Sequence, residues 1–299
     1  MRIALVHNPD AGQGAYDADD LARLFRDRGY DVAVHGRSKK QVARAAESRP
    51  DVLVAAGGDG TVARVAIALA GTTIPLLILP VGTANNIARS LGIQATVPVL
   101  IDGLTSARQV RLDIGQVSAP WGEESFVEGA GVGFIGAMLR NEGSMRERLG
   151  RFLWNLVPSQ KRPHGVARLI RRHPIRTYHM VADGSDLSGD YVTVEAMNIR
   201  AIGPRIALAP NADLADGHLD LVLVRPEDRD PLAEYVALEA PGLSPPVEIR
   251  RVRRAEMTWI AGYGHVDDEP WPLRAESTRG ADGAMVSVSL GRTVNVLIV

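Results

Sequence analysis

The chain of 299 residues contains no cysteine. Without cysteine it can form no disulfide bond, no thiolate metal site and no cysteine nucleophile. It also has no apolar run long enough to span a bilayer, and the apolar part of residues 1–9 is too short for a signal peptide. These absences predict a cytoplasmic protein.

The charge balance favours no class of partner, because the formal net charge is only −1. Hydrophobic residues at 45% and charged residues at 23% are typical of a globular protein. The length predicts two domains or one large one.

A glycine-rich stretch, Gly57-Gly58-Asp59-Gly60-Thr61, lies between a predicted buried strand at 51–56 and a predicted helix at 62–70. Glycine lets a backbone approach a ligand closely, and the N-terminus of a helix attracts anions. A carboxylate at Asp59 suits such a place if a divalent cation lies between it and a phosphate, or if it handles a proton. The stretch therefore predicts a phosphate site, the alternative being a plain turn with a solvated Asp59.

The first third of the chain alternates apolar runs with helical patterns. Strands are predicted at 3–6, 31–35, 51–56 and 76–79, and helices at 17–28, 39–48, 62–70 and 87–91. This alternation indicates a parallel sheet with right-handed crossovers. Loops that follow parallel strands share one edge of the sheet, so the loops at 8–14, 57–61 and 82–86 should lie side by side.

After residue 104 the pattern changes to short runs separated by turns, which predicts an antiparallel sandwich. Predicted strands are 111–117, 125–130, 175–182, 191–197, 206–209, 219–224, 247–252, 256–260, 284–290 and 294–299, with helical stretches near 146–156 and 231–239. We therefore expect an α/β domain at 1–104 and a β-rich domain at 105–293. The strand at 294–299 is a candidate to return to the first domain.

The segment 146–176 holds nine Lys or Arg residues and one acid, Glu147, among large apolar side chains. This mixture fits the surface of an anionic membrane. A core-facing helix with a solvated basic side explains it equally well. Nucleic-acid binding is not expected, because no recognisable reading module is present.

Three kinds of phosphate chemistry compete for the glycine loops. A P-loop is excluded, because no Gly-Lys-Ser/Thr follows any of them. Residues 58–63 match the loose dinucleotide-binding form G-x-G-x-x-A, but they follow the third strand and not the first. The next acidic residue after Asp59 is Asp102, so no carboxylate lies about 20 residues further on to bind a ribose hydroxyl. Both facts argue against a dinucleotide site. A metal-assisted kinase with a different glycine loop explains Asp59.

Three motifs in this order resemble the diacylglycerol kinase catalytic family, which includes bacterial lipid kinases and sphingosine and ceramide kinases. They are Asn8-Pro9-Asp10-Ala11-Gly12, Gly57-Gly58-Asp59-Gly60-Thr61 and Pro80-Val81-Gly82-Thr83-Ala84-Asn85-Asn86. The resemblance continues through Asp113, residues 131–134, 197–198 and 209–220 to Asp267-Asp268-Glu269, and so covers nearly the whole chain. Relatives that phosphorylate NAD share the second motif but lack the third.

The resemblance implies that the α/β domain at 1–104 binds the nucleotide and that the antiparallel β-sandwich domain at 105–293 holds the lipid substrate. ATP would lie in a cleft between the two domains. The implied nucleotide-binding residues are Asn8, Asp10, Ala11, Gly12, Gln13, Gly14, Ser38, Gly57, Gly58, Asp59, Gly60, Thr61, Val62, Ala63, Gly82, Thr83 and Asn85.

The resemblance also implies two Mg²⁺ sites. Asp59 and Asp113 would support a cation near the γ-phosphate, and Asp213, Asp216 and the backbone carbonyl of His218 would hold a structural one. Such hard oxygen ligands on one short loop suit Mg²⁺. The alternative is a surface turn with two solvated acids.

The resemblance implies that either Asp267 or Glu269 supplies the general base. Residues i and i+2 of a strand share a face, so both carboxylates could point towards the substrate and one could accept the proton of the attacking hydroxyl. Without the resemblance, a polar turn before Pro270 would be the simpler interpretation.

This chain departs from the family pattern at three places. Asp268 replaces a usual glycine, Asn86 a frequent aspartate and Ala63 a common asparagine. Asp268 should restrict the backbone, because a glycine is lost there. Asn86 should weaken the proposed Mg²⁺ network, because it removes one carboxylate.

These observations predict an ATP- and Mg²⁺-dependent kinase that phosphorylates a lipid hydroxyl and contacts an anionic membrane peripherally. A kinase with a soluble acceptor, related to NAD kinase, is the first alternative, and a non-catalytic nucleotide-binding regulator is the second. A homodimer is left open.

Overall fold

The computed structural model describes residues 1–12, 16–140, 162–203, 205–238, 243–260, 262, 264–272 and 281–299. Gln13 and Gly14, which the family resemblance assigns to the nucleotide, lie outside these ranges, as does the helix predicted near 146–156. The chain forms two compact units. The first comprises Met1–Ile114, Asp213–Gly217 and Gly291–Val299, and the second comprises Gly115–Ala212 and His218–Leu290.

The first unit alternates strands and helices. Its elements are β1 (Arg2–His7), α1 (Ala18–Arg26), β2 (Asp31–Gly36), α2 (Lys39–Glu47), β3 (Val52–Gly57), α3 (Asp59–Leu69), β4 (Leu76–Pro80), α4 (Asn86–Ser90) and α5 (Val97–Asp102), with a 3₁₀ turn at Gly103–Ser106. Strands β2, β1, β3 and β4 pair in this order and run parallel. The predicted α/β fold is confirmed.

Local sequence explains where these elements begin. Asp17 caps α1 by accepting the backbone N–H of Asp20 at 2.6 Å, and α1 buries Leu21, Ala22 and Phe25. Strand β3 is apolar and buried along its whole length, as expected for a central strand of a parallel sheet.

Helix α3 begins at Asp59, three residues earlier than the sequence predicted. Gly58 is its N-cap in an extended conformation, so Asp59, Gly60 and Thr61 form the first turn. An acidic residue is favourable there because the first N–H groups of a helix lack intrahelical partners and form its positive end. Most of the glycine-rich stretch is therefore the start of the helix itself.

The C-terminal strand adds to the sheet of the first unit. Val296 and Leu297 pair in parallel with Leu76 and Leu77 of β4. The assignment of nucleotide binding to 1–104 and lipid binding to 105–293 stays a prediction, as does a nucleotide cleft between the two.

The second unit begins within β5 (Arg108–Ala119) and is rich in strands. Its further elements are β6 (Gly122–Phe126), β7 (Gly129–Val132), α6 (Arg162–Arg172), β8 (Arg176–Tyr178), β9 (Met180–Ala182), β10 (Ser185–Asp186), β11 (Gly189–Tyr191), β12 (Thr193–Met197), β13 (Leu219–Val224), α7 (Arg229–Leu238), β14 (Glu248–Val252), β15 (Arg254–Thr258), β16 (Gly264–Val266), β17 (Glu269–Trp271) and β18 (Met285–Ile298), whose last residues belong to the first unit. Residues 134–140 are also helical.

Two antiparallel sheets form the core of the second unit. One has the order β14-β13-β12-β7-β16-β17, and the other contains β10, β9, β15 and the first part of β18. An apolar core joins the two sheets, and a second apolar core lies between the six-stranded sheet and the helices α6 and α7. The predicted antiparallel sandwich is confirmed.

Several predicted strands of this unit need correction. Residues 206–209 form no strand, only a single bridge between Ile202 and Ile206. The predicted run at 175–182 is two strands, whereas 284–290 and 294–299 are one continuous strand. Strands β16 and β17 were not predicted, because three residues are too few to show an alternating pattern.

The described part of the basic segment is a core-facing helix. Helix α6 buries Val166, Ala167 and Ile170, whereas Arg168 and Arg171 are exposed. Membrane contact by this segment stays a prediction, and residues 146–161 lie outside the described ranges. Of the helices that the structure describes, none is long and apolar enough to cross a bilayer.

The C-terminal strand should contribute measurably to the stability of the first unit. Val296 is 0% exposed, so we expect Val296→Ala to lower the free energy of unfolding by about 2 kcal/mol through lost burial and a residual cavity. Urea unfolding measures the change. The matched control is Val34→Ala in β2, where the side chain is 42% exposed and the cost should stay below about 0.5 kcal/mol. Equal losses for both variants would contradict the prediction.

Candidate functional site

Three polar loops lie in contact at one edge of the parallel sheet. A Cβ atom on Gly12 would lie 1.9 Å from the carbonyl oxygen of Val81, and one on Gly82 would lie 2.3 Å from the Cα atom of Gly58. Any side chain at Gly12 or Gly82 would therefore collide with the backbone of a neighbouring loop. The prediction that the loops after β1, β3 and β4 lie side by side is confirmed.

Asp59 connects two helix N-termini at this edge. It is the first residue of α3, and its Oδ1 accepts the backbone N–H of Ile87 in α4 at 2.9 Å. Burial raises the pKa of the Asp59 carboxyl above its ordinary value, while the N–H groups of Ile87, Asn86 and Asn85 oppose the shift. The carboxylate thus lies among backbone donors that also suit a phosphate.

Asn85 holds the third loop in shape. Its backbone is left-handed with φ 53°, its Oδ1 accepts the N–H of Gly82 at 3.0 Å, and its Nδ2 donates to the carbonyls of Pro80 and Gly82. Asparagine tolerates this conformation better than most residues. Asn85 therefore shapes the loop from inside, and Thr83 is exposed on its surface.

The other predicted nucleotide-binding residues also occupy this edge or lie near it. Asn8 begins the first loop, where its N–H donates to Ala56 at 3.0 Å and its Oδ1 accepts the N–H of Asp10. Asp10 pairs with Arg37 at 3.0 Å. Ser38 caps α2, since its hydroxyl accepts the N–H of Gln41 at 3.3 Å. Ala11 follows Asp10, Gly57 ends β3, and Thr61, Val62 and Ala63 are buried in α3. A nucleotide contact at each of these positions stays a prediction.

The predicted Mg²⁺ ligands Asp113, Asp213 and Asp216 all belong to the first unit. Asp113 in β5 donates its N–H to Leu214 at 2.7 Å, and its Oδ2 accepts the N–H of Gly217 at 2.9 Å. Burial raises the pKa of Asp113, the Gly217 bond opposes the shift, and Asp216 and Asp213 add to it. The loop 213–217 is therefore fixed to β5 with carboxylates near one another.

This donor set suits a hard cation, because it offers carboxylate oxygens on a short loop that backbone bonds hold in place. Within the described residues, no group of three or more His, Cys, Asp or Glu side chains is close enough to bind a metal unaided. Further ligands would have to come from backbone carbonyls, such as that of His218 just before β13, from water or from phosphate.

Asp267 lies in the turn between β16 and β17 and is buried. Its carboxylate accepts the backbone N–H groups of Val127, Glu128 and Gly129, the shortest at 2.7 Å. Burial raises the pKa of Asp267 to about 7, although these three donors favour the ionised form. Asp267 thus fixes the segment 127–129 to the turn.

The expectation that Asp267 and Glu269 share a strand face is wrong. Asp267 has φ 50° and belongs to the turn, so the alternation of a strand does not apply, and Glu269 is exposed while Asp267 is buried. Asp268, where the family resemblance implies a glycine, has no positive φ. The loss of that glycine therefore places no left-handed strain at Asp268.

Sequence reasoning missed the buried polar groups around this turn. Glu195 and His265 are hydrogen-bonded at 2.8 Å, and the amide nitrogen of Asn198 donates to the carbonyl of Val127 at 3.1 Å. These partners come from distant parts of the sequence, so no local pattern predicts their contacts. The one local indication is that His265 and Asp267 are two residues apart.

An apolar cavity, partly open to solvent, lies between the two sheets of the second unit. Residues from β7, β12, β15 and β18 line it, among them Val132, Ala196, Met257 and Val286. His265 is its one titratable lining residue within the described ranges. The apolar lining of this cavity suits an apolar ligand.

Known proteins resemble both halves of the chain. A model of the diacylglycerol kinase catalytic domain matches residues 2–117, and a model of the YegS C-terminal NAD kinase beta sandwich-like domain matches residues 153–260. A diacylglycerol kinase of Mycobacterium tuberculosis is 30% identical over 253 residues, which covers 77% of this chain and 75% of the relative. A diacylglycerol kinase of Bacillus subtilis is 26% identical over 246 residues, 79% of this chain and 76% of the relative. A crystal structure of a diacylglycerol kinase from Bacillus anthracis, 17% identical, shares the fold with a TM-score of 0.68 over 100% of this chain and 97% of that one.

The buried Asp267 should make stability depend on pH. Its pKa of about 7 in the folded protein exceeds the ordinary value of 3.8, so between these values the folded state holds a proton that the unfolded chain has released. This contribution is complete below the lower value and is lost as the pH rises through the higher one. We expect the free energy of unfolding of the wild type, relative to Asp267→Asn, to fall across this window in urea titrations. The control is Asp31→Asn at an exposed position, which should leave the pH dependence of the free energy of unfolding as in the wild type. If the free energies of unfolding of wild type and Asp267→Asn change in parallel with pH, the raised pKa of Asp267 is refuted.

Proposed function

The chain belongs to the diacylglycerol kinase family, and on that basis we propose that it transfers the γ-phosphate of ATP to the hydroxyl group of a diacylglycerol-like lipid with the help of Mg²⁺. The contact of three polar loops around Asp59 carries this proposal. Phosphoryl transfer needs mainly positioning and charge neutralisation, and this edge of the sheet offers backbone N–H groups and a carboxylate for both.

Asp59 and Asp113 would hold the cation at the transferred phosphate, and Asp213 with Asp216 a structural one. Bound Mg²⁺ would neutralise the charge on the phosphate oxygens. The chain's own contribution is to fix the carboxylates of Asp59 and Asp113 by backbone N–H groups, which leaves these two side chains little freedom to reorganise.

Of the two candidate bases, the geometry favours Glu269. The carboxylate of Asp267 is buried and accepts three backbone N–H groups, so its oxygens are committed to holding the segment 127–129. Glu269 is exposed at the start of β17, so its carboxylate is accessible from solvent, as a general base for a substrate hydroxyl would have to be. We assign Asp267 to fixing the turn and Glu269 to accepting the proton.

The apolar cavity of the second unit supports a lipid acceptor. A small polar acceptor, as for a relative of NAD kinase, would gain nothing from a cavity lined by Val132, Ala196 and Met257. Exposed Arg168 and Arg171 on α6, with the nearby Ile175 at 43% exposure, would meet anionic lipid headgroups while the acceptor is bound.

The reaction is tested by following the labelled γ-phosphate of ATP into an organic-extractable product, with Mg²⁺ and mixed lipid micelles. We expect wild type to label the lipid and Asp59→Asn to lower the rate by about 100-fold or more, because the charge is lost. The asparagine side chain keeps an oxygen for the Ile87 N–H, so folding of this variant should persist, whereas Asp59→Ala should lose stability as well. The matched control is Asp19→Asn, which makes the same substitution at an exposed position outside the candidate site.

Label that stays in the aqueous phase while ATP binds would overturn the lipid assignment. A labelled small molecule would then point to a soluble acceptor. ATP binding without any turnover would point to a regulator.

The acceptor cavity is tested by filling it. We expect Ala196→Leu to raise the KM for a long-chain diacylglycerol by about 10-fold and to leave the KM for ATP unchanged, because the added carbons occupy ligand space. Ala22→Leu in α1, which is equally buried but far in sequence and in the other unit, controls for general overpacking. An unchanged acceptor KM in folded Ala196→Leu protein would place the acceptor elsewhere.

A further inference from the structure

Glu195, Gly131 and His265 lie side by side on three neighbouring strands. Gly131 in β7 pairs with Glu195 in β12 on one side and with His265 in β16 on the other. Nε2 of His265 lies 2.8 Å from Oε2 of Glu195, and both side chains are fully buried. Two titratable groups thus meet across a glycine inside the second unit.

Gly131 makes this contact sterically feasible. A Cβ atom there would lie 2.2 Å from Oε2 of Glu195. Its backbone has no positive φ, so the space rather than the conformation demands glycine. The carboxylate crosses over the intervening strand because that strand has no side chain at this point.

The hydrogen bonds fix how many protons the pair holds. Nδ1 of His265 lies 2.9 Å from the carbonyl oxygen of Asp267, which can only accept, so Nδ1 carries a proton. The contact between Nε2 and Oε2 then requires one proton between them, on either atom. Burial lowers the pKa of His265, but Glu195 outweighs it and the net shift is upward. Burial also raises the pKa of Glu195, so both shifts favour keeping that proton.

The pair is connected to the turn that carries the proposed base. His265 holds the Asp267 carbonyl, and the Asp267 N–H donates to the carbonyl of Gly129 at 2.8 Å. The Asp267 carboxylate in turn accepts the N–H groups of residues 127–129. The backbone and the side chain of Asp267 are therefore both held, and Glu269 follows two residues later.

Stability alone does not account for such a pair. Burying a carboxylate and an imidazole costs desolvation energy, and apolar residues of similar volume usually serve stability as well or better. Oε1 of Glu195 is buried and finds no hydrogen-bond partner among the described residues, which adds to that cost. The arrangement instead defines one orientation of the turn.

We propose that Glu195 and His265 are positioning residues which, by sharing one proton, hold the turn 267–269 so that Glu269 meets the acceptor hydroxyl in one orientation. This inference rests on the proposed lipid kinase function and deepens it.

The test compares Glu195→Leu with Glu195→Gln. We expect Glu195→Leu to lower kcat by about 10- to 100-fold, because the base is displaced, and to leave the KM for ATP within about twofold. The amide side chain of the introduced glutamine can still donate to a neutral His265, so Glu195→Gln should restore most of the activity. Amide hydrogen exchange at Val127, Glu128 and Gly129 should accelerate in the Leu variant and return to wild-type rates in the Gln variant.

The matched control is Thr193→Val, which removes a buried polar group from the same strand and the same face. Thr193 binds the N–H of Phe134 at 2.9 Å and does not touch the turn, so kcat and exchange at 127–129 should stay near wild type. If Glu195→Leu does not fold, Glu195→Leu combined with His265→Met replaces the pair by apolar side chains and serves instead.

Wild-type kcat and wild-type exchange in the Leu or the double variant would overturn the proposal, as would equal losses in Thr193→Val. If the wild type phosphorylates no lipid, the proposed function fails. The exchange rates at 127–129 would then decide alone whether the pair holds the turn.

Discussion

Backbone N–H groups hold three carboxylates of the candidate site. Asp59 accepts from Ile87, Asp113 from Gly217, and Asp267 from Val127, Glu128 and Gly129. In each case the donor comes from a segment distant in sequence, so the carboxylate fixes two parts of the chain together. A buried carboxylate left without such donors would be destabilising, and this constraint ties the fold to the site.

The same interaction separates the roles of these carboxylates. Asp267 is saturated by three donors from one segment, so it serves best as a structural anchor. Asp59 begins one helix and caps another, where helix dipoles and free N–H groups attract negative charge. A phosphate brought to that edge would meet both the donors and the carboxylate. A cation bound there would offset the repulsion between the phosphate and Asp59, which is why the proposed function includes a metal.

The sequence predicted the parallel half of the molecule better than the antiparallel half. Strands such as Val52–Gly57 are apolar runs bounded by glycine, and the topology of parallel sheets then places their loops at one edge. The sequence did not predict the three-residue strands β16 and β17, the positive φ at Asp267 or the contact between Glu195 and His265. Strands of three residues are too short to show the alternation of apolar and polar residues. Glu195 and His265 are 70 residues apart, so their contact leaves no local sequence pattern.

Asn86 illustrates how a departure from the family pattern acts through this geometry. Its side chain is buried at the first turn of α4, beside the N–H groups that bind Asp59. An aspartate there would place a second carboxylate at the same helix N-terminus, and the two charges would repel unless a cation lay between them. Asparagine removes that repulsion and leaves Asp59 as the main charge at this edge. With asparagine, the folding of this edge needs no cation to offset such a repulsion, and a cation bound under the proposed function would find one carboxylate ligand fewer.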